Sequence, residues 1–172
     1  ELVKIPSTSN TETEKSCADY IAEELAKQPY FKEYPEQTGK YLLPEDSFGR
    51  SVPWGLVKGR NGSRKTIILT GHYDVVDTEE YGNERALAYD VEKWEDLVKS
   101  GNALTGMPEE VKKDFLSGDW MFGRGTADMK GGLSVGLALL DWYGKLVVEA
   151  ERKECGTAAF ETKTASGTEE TP

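Results

Sequence analysis

Apolar residues recur at every fourth position near the start of the chain and predict its first helix. Charged residues occupy the opposite face, as in a helix that covers a core from outside. Ser9 and Thr11 each stand three positions before a glutamate, the spacing of a helix-capping box. We therefore expect a helix over residues 9–27 in an outer layer of the protein. Its apolar stripe consists of Cys17, Ile21 and Leu25.

Two short stretches in the next part of the chain predict strands. Residues 54–58 form the first, ended by a glycine-containing turn, and the second is expected beside it as a hairpin partner or neighbour. The second contains an uninterrupted apolar run, which is typical of a strand buried on both faces. That run is Ile67, Ile68 and Leu69.

A helix over residues 129–149 is predicted by another apolar series, in which Gly131, Gly132 and Gly136 would allow tight packing on the sheet. Strands that alternate with amphipathic helices favour an α/β protein. The expected architecture is an incomplete three-layer α/β/α sandwich with a mixed sheet. The core positions expected on this last helix are Leu133, Leu137, Leu140, Val147 and Val148.

A long acidic insert, residues 77–119, separates the two halves of this pattern. Asp90 can cap one helix that ends before Gly101, and Pro108 suits the first turn of a second that ends before Gly118. The insert could shape a substrate pocket or be a surface elaboration, and both interpretations stay open. Its acidity would favour a cationic substrate.

The composition narrows the range of partners. The 172 residues carry a formal net charge of -10, which argues against nucleic acids and anionic membranes. No apolar run approaches the roughly 18 residues of a membrane helix. Cys17 and Cys155 have no metal-binding spacing, which indicates a reducing compartment, and we expect a cytoplasmic protein. The start at Glu1 indicates a processed or trimmed terminus, or the edge of a fragment.

The only histidine of the chain, His72, comes directly after the predicted apolar strand, and Asp74 follows two positions later. Open α/β sheets place ligands and catalytic groups beyond the carboxyl ends of their strands. An imidazole that binds a metal through one nitrogen needs a carboxylate or carbonyl on the other to fix its tautomer. Asp74 is close enough to do so, although a lone His-x-Asp is more often a structural strand end.

A glycine-rich stretch at residues 123–132 surrounds Asp128 and Arg124. Dense glycines permit close backbone approach, so the chain can bring a carboxylate into a confined site. A carboxylate can bridge two divalent ions, as two-metal hydrolases require. A phosphate loop is the alternative, but the stretch lacks the G-K-[ST] of such loops. We expect Arg124 to form a structural ion pair rather than to clamp substrate.

The two motifs in this order, G-H-Y-D-V-V and G-R-G-T-A-D-M-K-G-G, closely resemble the paired signature of the dinuclear zinc exopeptidases and deacylases, the family of aminoacylase, ArgE and DapE. The form W-M-F-G-R-G-T-A-D-M-K and the long insert look most like its arginine-utilisation RocB branch. The resemblance implies that His72 is a terminal ligand of one metal and Asp128 the bridging ligand. Asp74 would be the catalytic-site carboxylate that orients His72.

The last stretch of the chain, residues 151–172, contains one aromatic residue and no Leu, Ile or Val. This composition predicts a polar, poorly ordered tail after a first domain that spans residues 1–150. The family pattern implies an apolar strand followed by a Glu pair, the first a general base and the second a metal ligand. Glu169 and Glu170 stand at a suitable distance, but the apolar strand before them is missing, so a chance match stays open.

The resemblance implies a metal-dependent hydrolase that cleaves an amide bond in an N-acylated amino acid or short peptide. It also implies two zinc ions, with cobalt or manganese as other candidate metals, and a parent enzyme that forms a homodimer. A two-metal site needs about five ligands, nearly always with more than one histidine. We therefore expect the chain to be part of a catalytic domain and inactive alone. The other interpretation is a non-catalytic interaction or scaffold module that keeps relic metal ligands.

Overall fold

The computed structural model describes residues 1–100 and 106–165. This part of the chain contains five α-helices and one sheet of two antiparallel strands, which confirms an incomplete α/β fragment. The helices are α1 (Thr13–Lys27), α2 (Pro29–Glu33), α3 (Val91–Lys99), α4 (Glu109–Ser117) and α5 (Gly131–Ala165). The strands are β1 (Thr38–Leu42) and β2 (Ser51–Gly55). None of the helices described is long and apolar enough to cross a membrane.

Helix α1 buries the stripe that the four-residue period predicted. It begins at Thr13 rather than at residue 9, and no side-chain capping bond closes its first turn, so both predicted capping boxes were wrong. The Glu14 carboxylate accepts a hydrogen bond from the Asn10 N–H instead, at 2.6 Å. Ser9 bonds to the distant Val75, at 2.9 Å from its N–H to the carbonyl, and this contact keeps residue 9 out of the helix.

Strands β1 and β2 form a hairpin that packs against α1. Thr38 lies opposite Gly55 at one end, and Leu42 lies opposite Ser51 at the other. The sheet strand therefore begins three positions before the predicted start at residue 54, and its partner was not foreseen. The sequence of β1, T-G-K-Y-L, is half polar and its last three residues are exposed, so it lacks the apolar signal of a core strand.

The apolar run at residues 67–69 is neither paired nor buried, so the predicted strand was wrong. Its three side chains are 89%, 82% and 56% exposed, and the stretch has no regular secondary structure. A strand is stable only where neighbouring strands satisfy its backbone N–H and C=O groups. Within the described residues, β1 and β2 pair only with each other. His72 therefore does not follow a strand of the sheet.

Helix α5 supplies the core contacts predicted for it, and they join Val148 to the cluster around α1 and α2. Of the three glycines expected to allow tight packing, Gly131 and Gly132 lie close to the preceding turn rather than to the sheet: their Cβ positions are 2.5 Å from the Thr126 carbonyl oxygen and 3.1 Å from Cε of Met129. Gly136 faces open space. Close packing of α5 against α2 occurs at Gly144, which the sequence did not single out and where a Cβ would lie 2.6 Å from the Cβ of Tyr30.

The same helix continues to Ala165, so its predicted end near residue 149 was wrong. Glu151 accepts a hydrogen bond from the Tyr34 hydroxyl at 2.7 Å, and this bond raises the pKa of Tyr34 to about 12. Arg152 forms an ion pair with Glu33 at 2.6 Å. These polar contacts hold the part of α5 beyond residue 149 against the end of α2, although this part of the helix has no apolar stripe.

Both helices expected in the insert are present. The Asp90 carboxylate accepts a hydrogen bond from the Lys93 N–H at 3.1 Å, which confirms its capping role at α3. Pro108 stands at the N-cap of α4, one position earlier than predicted, and Gly118 ends α4 with a φ of 76°. The predicted stop at Gly101 lies outside the described residues.

Candidate metal centre

The segment at residues 7–9 runs parallel to residues 73–75 and fixes the first motif. Thr8 and Val75 form an isolated parallel bridge. The Val75 N–H donates to the Ser7 carbonyl at 2.9 Å, and the Ser7 hydroxyl donates to the Tyr73 carbonyl at 2.6 Å. Ser7 and Val75 are buried. The motif is therefore anchored by the N-terminal segment rather than by a sheet.

His72 contacts the two aspartates that the sequence predicted around it. Its Nδ1 lies 3.0 Å from the Asp74 carbonyl oxygen and 3.1 Å from Asp74 Oδ1. Its Nε2 lies 2.9 Å from Asp128 Oδ1. Nδ1 is thus the nitrogen that can donate its proton to Asp74, and Nε2 is the nitrogen directed at Asp128. The three residues are thus brought together, with Asp74 on the side of the ring expected for an orienting carboxylate.

Hydrogen bonds and charge shift the acidities of this cluster. The pKa of His72 is raised because the Asp74 carbonyl accepts its hydrogen bond, and the carboxylate of Asp128 adds to the rise. A hydrogen bond from the Ser9 hydroxyl at 2.6 Å lowers the pKa of Asp74, and His72 lowers it further. Asp74 is therefore held as a carboxylate, the form that orients an imidazole.

A turn with unusual backbone angles carries Asp128. Gly125 has a φ of 81° and precedes a π-helical turn, Thr126–Lys130, in which Asp128 and Met129 leave the helical region. The Lys130 N–H donates to the Gly125 carbonyl at 2.9 Å and closes this turn. The side chain of Asp128 is 87% exposed, so both carboxylate oxygens are accessible.

Gly125 also allows the two motifs to touch. A Cβ at this position would lie 2.5 Å from Cγ1 of Val75, closer than any side chain could fit. The expected close backbone approach is confirmed at this position, but the confined site expected for Asp128 is not, because its side chain is 87% exposed. Gly71 makes a second contact of this kind, because its Cβ would lie 2.8 Å from Cε of Met129.

A pocket of about 290 Å³ opens beside the cluster, lined by the residues of both motifs. Arg124 borders it but is held elsewhere: Nη2 donates to Glu80 at 2.5 Å, and the guanidinium lies 5.4 Å from the ring centroid of Tyr81. The Arg124 N–H donates to the Ala88 carbonyl at 2.7 Å. The predicted structural ion pair is therefore present, and its partner comes from the acidic insert.

The side-chain atoms that His72 and Asp128 present are of the types that bind divalent metals. An imidazole nitrogen and a carboxylate oxygen are ligands that zinc, cobalt and manganese accept. Catalytic zinc sites have three protein ligands, however. Among the described residues, no group of three His, Cys, Asp or Glu side chains is placed to hold a metal. His72 and Asp128 thus fit as two ligands of a site that needs at least one more.

Two predicted site residues, Glu169 and Glu170, lie outside the described residues. Two others that the structure brings to the site were not foreseen. Ser9 was assigned to a helix cap, but it bonds to Asp74 across 65 positions. Lys130 reaches the Ile5 carbonyl across 125 positions. No local pattern could reveal either contact, because each depends on how distant segments meet.

Comparisons with known proteins give two relatives from Bacillus subtilis (strain 168). The chain is 35% identical over 139 residues to Protein RocB, a match that covers 81% of this chain and 24% of that protein. It is 40% identical over 141 residues to the uncharacterized protein YqjN, again with 81% and 24% covered. The chain spans about a quarter of the length of these curated relatives. No protein-family model matches, and no solved structure matches.

Proposed function

Because this chain is a relative of RocB and YqjN over 81% of its length, we propose that it carries the first metal ligands of a RocB-like hydrolase. The proposed reaction is metal-dependent cleavage of an amide bond in an N-acylated amino acid or short peptide. One observation carries the proposal: His72 Nε2 lies 2.9 Å from Asp128 Oδ1, while Asp74 occupies the other side of the imidazole.

Each residue of the cluster has a distinct proposed role. His72 presents Nε2 as a terminal ligand, and Asp74 holds the proton at Nδ1 and so fixes the tautomer. Asp128 would hold the ions through its carboxylate, since its side chain is 87% exposed. Ser9 stabilises the ionised form of Asp74 by donating a hydrogen bond to it from its hydroxyl group at 2.6 Å. Divalent ions at this site, zinc by preference and cobalt or manganese as alternatives, would activate a water molecule and the scissile carbonyl.

The remaining roles need residues beyond the described part. Glu169 is the proposed general base, which would take a proton from the attacking water and deliver it to the departing amine nitrogen. Glu170 is the proposed third ligand. A second histidine would have to come from a longer RocB-like polypeptide, since this chain has only one. We therefore expect the 172-residue chain alone to hold metal weakly and to lack turnover.

The acidic insert and the ion pair of Arg124 suggest a class of substrate. Arg124 is neutralised by Glu80, so the guanidinium is engaged and the wall of the pocket is not strongly basic. An acidic insert beside such a pocket suits a substrate with a cationic side chain, in keeping with a role in arginine utilisation. We propose this as the class of substrate for the whole enzyme.

A second candidate function rests on a separate observation. The run at residues 67–69, just before the first motif in the sequence, exposes three large apolar side chains. Surfaces of this kind often bind other polypeptide segments. In that case the chain would be an interaction module, and His72 and Asp128 would be relics. Metal binding separates the two candidates.

Zinc titration by calorimetry tests the proposal, with four variants of the chain. We expect the unmodified chain to bind one ion weakly and both His72→Ala and Asp128→Asn to abolish that binding. Asp74→Asn should weaken it by ~10–100-fold, the usual effect of losing the partner of a ligating histidine. Asp141→Asn removes a surface carboxylate that pairs with Lys145 and is the matched control, with no expected effect.

Three outcomes of these experiments would contradict the proposed hydrolase or favour the interaction module. Zinc affinity that is unchanged in His72→Ala would refute the ligand assignment. No zinc uptake by the unmodified chain would favour the interaction module. Multiple turnover of acyl-amino acids by the purified chain, with contaminating hydrolases excluded, would show that the residues responsible have been misassigned.

A further inference from the structure

A buried lysine connects the turn that carries Asp128 to the start of the chain. Lys130 is fully buried, and its Nζ donates to the Ile5 carbonyl at 2.5 Å. The ammonium also lies 5.9 Å from the ring centroid of Tyr89. Burying an ammonium is costly unless its hydrogen bonds are replaced. The free-energy cost of burying Lys130 therefore has to be offset by the contacts that its ammonium group makes.

The backbone and the aliphatic part of the Lys130 side chain contact the glycine-rich turn. Its N–H donates to the Gly125 carbonyl at 2.9 Å, and its Cδ lies 3.4 Å from the Cβ position of Gly125. The carbonyl of Lys130 accepts a hydrogen bond from the Ser134 hydroxyl at 2.8 Å, in the first turn of α5. The backbone of Lys130 thus moves with the turn that presents Asp128.

The ammonium end of Lys130 is connected to the loop of His72 through hydrogen bonds of the N-terminal segment. Ile5 lies two positions before Ser7, whose carbonyl accepts the Val75 N–H and whose hydroxyl donates to the Tyr73 carbonyl. Ser9, at the end of the same segment, donates to Asp74. The segment at residues 5–9 is therefore bonded to Lys130 at one end and to the loop of His72 at the other.

We propose that Lys130 is a positioning residue for the candidate metal centre, because its bond to the Ile5 carbonyl holds the N-terminal segment that aligns Asp74 and His72 with Asp128. This role rests on the proposed function, since it is the geometry of a metal centre that Lys130 would maintain. The direct consequence is structural: without the ammonium, the pairing of residues 7–9 with residues 73–75 opens more often. Lys130 itself is buried, so the proposed role acts through the N-terminal segment.

Amide hydrogen exchange measures that opening directly. In Lys130→Met, which keeps the aliphatic length, we expect the amides of Val75 and Ser9 to exchange about tenfold faster, the change that ~1.4 kcal/mol of lost local stability produces. The amide of Ile21 in α1 should exchange at an unchanged rate. Lys130→Gln, which can still donate a hydrogen bond, should restore part of the protection. Lys145→Met removes an exposed lysine of α5 and is the control.

The exchange rates of the three amides, compared with one another, test the role of Lys130. Equal acceleration at Val75, Ser9 and Ile21 would mean general destabilisation and would overturn the proposal, as would unchanged rates at Val75 and Ser9. If Lys130→Met does not fold, Lys130→Gln carries the test by the same comparison of amides.

Zinc titration of the same variants separates this proposal from the proposed function. We expect Lys130→Met to bind zinc about tenfold more weakly than the unmodified chain. Zinc affinity unchanged by the variant would refute a positioning role at a metal centre. If the unmodified chain takes up no zinc while Val75 and Ser9 still exchange faster in the variant, the connection through Lys130 is upheld and the metal assignment fails.

Discussion

Two neighbouring stretches, one just before the first motif and one inside it, differ sharply in burial. Residues 67–69 are strongly apolar, yet their side chains are 56–89% exposed. Residues 73–75, only a few positions later, are bonded to residues 7–9 at both backbone and side-chain atoms. Val75 is only 4% exposed. The more hydrophobic stretch is the less buried one.

The difference shows that a backbone partner, rather than apolar character alone, decides which stretch is fixed. Residues 73–75 find a parallel neighbour in the N-terminal segment, and Val75 fills the space above Gly125. In the described part of the chain, residues 67–69 have no strand beside them. An apolar run without such a partner cannot satisfy its backbone groups away from water.

Gly125→Ala should have the largest effect on stability, because it separates the anchored stretch at residues 73–75 from the turn of Asp128. The new methyl group would lie 2.5 Å from Val75 Cγ1, and the residue has a φ of 81°. Left-handed strain and overpacking together should lower the free energy of unfolding by about 3 kcal/mol. Urea unfolding measures this.

Gly118→Ala is the matched control for that change. Its φ of 76° is nearly the same, but no atom lies within 4 Å of its Cβ position. It should cost only about 1–2 kcal/mol, from the backbone strain alone. Equal losses in the two variants would show that contact between Gly125 and Val75 adds nothing.

Val75→Ala and Ile68→Ala compare the two stretches side by side. Val75 is buried, so its truncation should lower the free energy of unfolding by about 2 kcal/mol. Ile68 is 82% exposed, and its truncation should change stability by no more than about 0.5 kcal/mol. Thermal or urea unfolding of both variants checks this, and a larger loss for Ile68→Ala would mean that residues 67–69 are buried in solution.

A double substitution, Ile67→Thr with Ile68→Thr, should change association rather than stability. Both side chains are more than 80% exposed, and a long apolar stretch with unpaired backbone favours aggregation. We expect the variant to stay monodisperse at higher concentration in light scattering, with the same unfolding midpoint. Loss of folded structure on circular dichroism would contradict the exposure of this stretch.

Much of the candidate site follows from the sequence, because its residues lie in short motifs with a chemical purpose. His72, Asp74 and Asp128 meet as the paired motifs imply. Helix α1 and the cap of α3 follow from apolar spacing and from Asp90. This helix and this cap depend on neighbours within about four positions, which a linear pattern records. The meeting of His72 and Asp128, which lie 56 positions apart, follows instead from the pairing of the two motifs.

The parts that the sequence did not predict depend on distant partners. Strand β1 is half polar and forms only because β2 lies beside it. Residues 67–69 have the composition of a core strand but no neighbour among the described residues. Lys130 looks like a surface lysine of a helix, and only the N-terminal segment makes its burial possible.

The smallest expected effect is a pH dependence at the anchored loop. The pKa of His72 is raised above 6.5 in the folded state, so its stabilising contribution is complete below that value and is lost as pH rises through the folded pKa. Asp128→Asn should therefore destabilise the chain more at about pH 5.5 than at about pH 8. Because His72 is half exposed, the difference will be small. Urea unfolding at the two pH values measures it, and a larger loss at the higher pH would contradict the sign.

The most direct test of the central claim is a ¹⁵N NMR spectrum of the imidazole of His72, recorded with and without zinc. Both ring-nitrogen signals come from His72, because the chain contains one histidine, and only Nδ1 and Nε2 have to be distinguished. We predict that zinc shifts the Nε2 resonance, while Nδ1 keeps its proton and continues to donate it to Asp74 in a hydrogen bond. In Asp128→Asn the same shift should require much more zinc. A zinc-induced shift at Nδ1, or no change at either nitrogen, would contradict the assignment of His72 as a metal ligand oriented by Asp74.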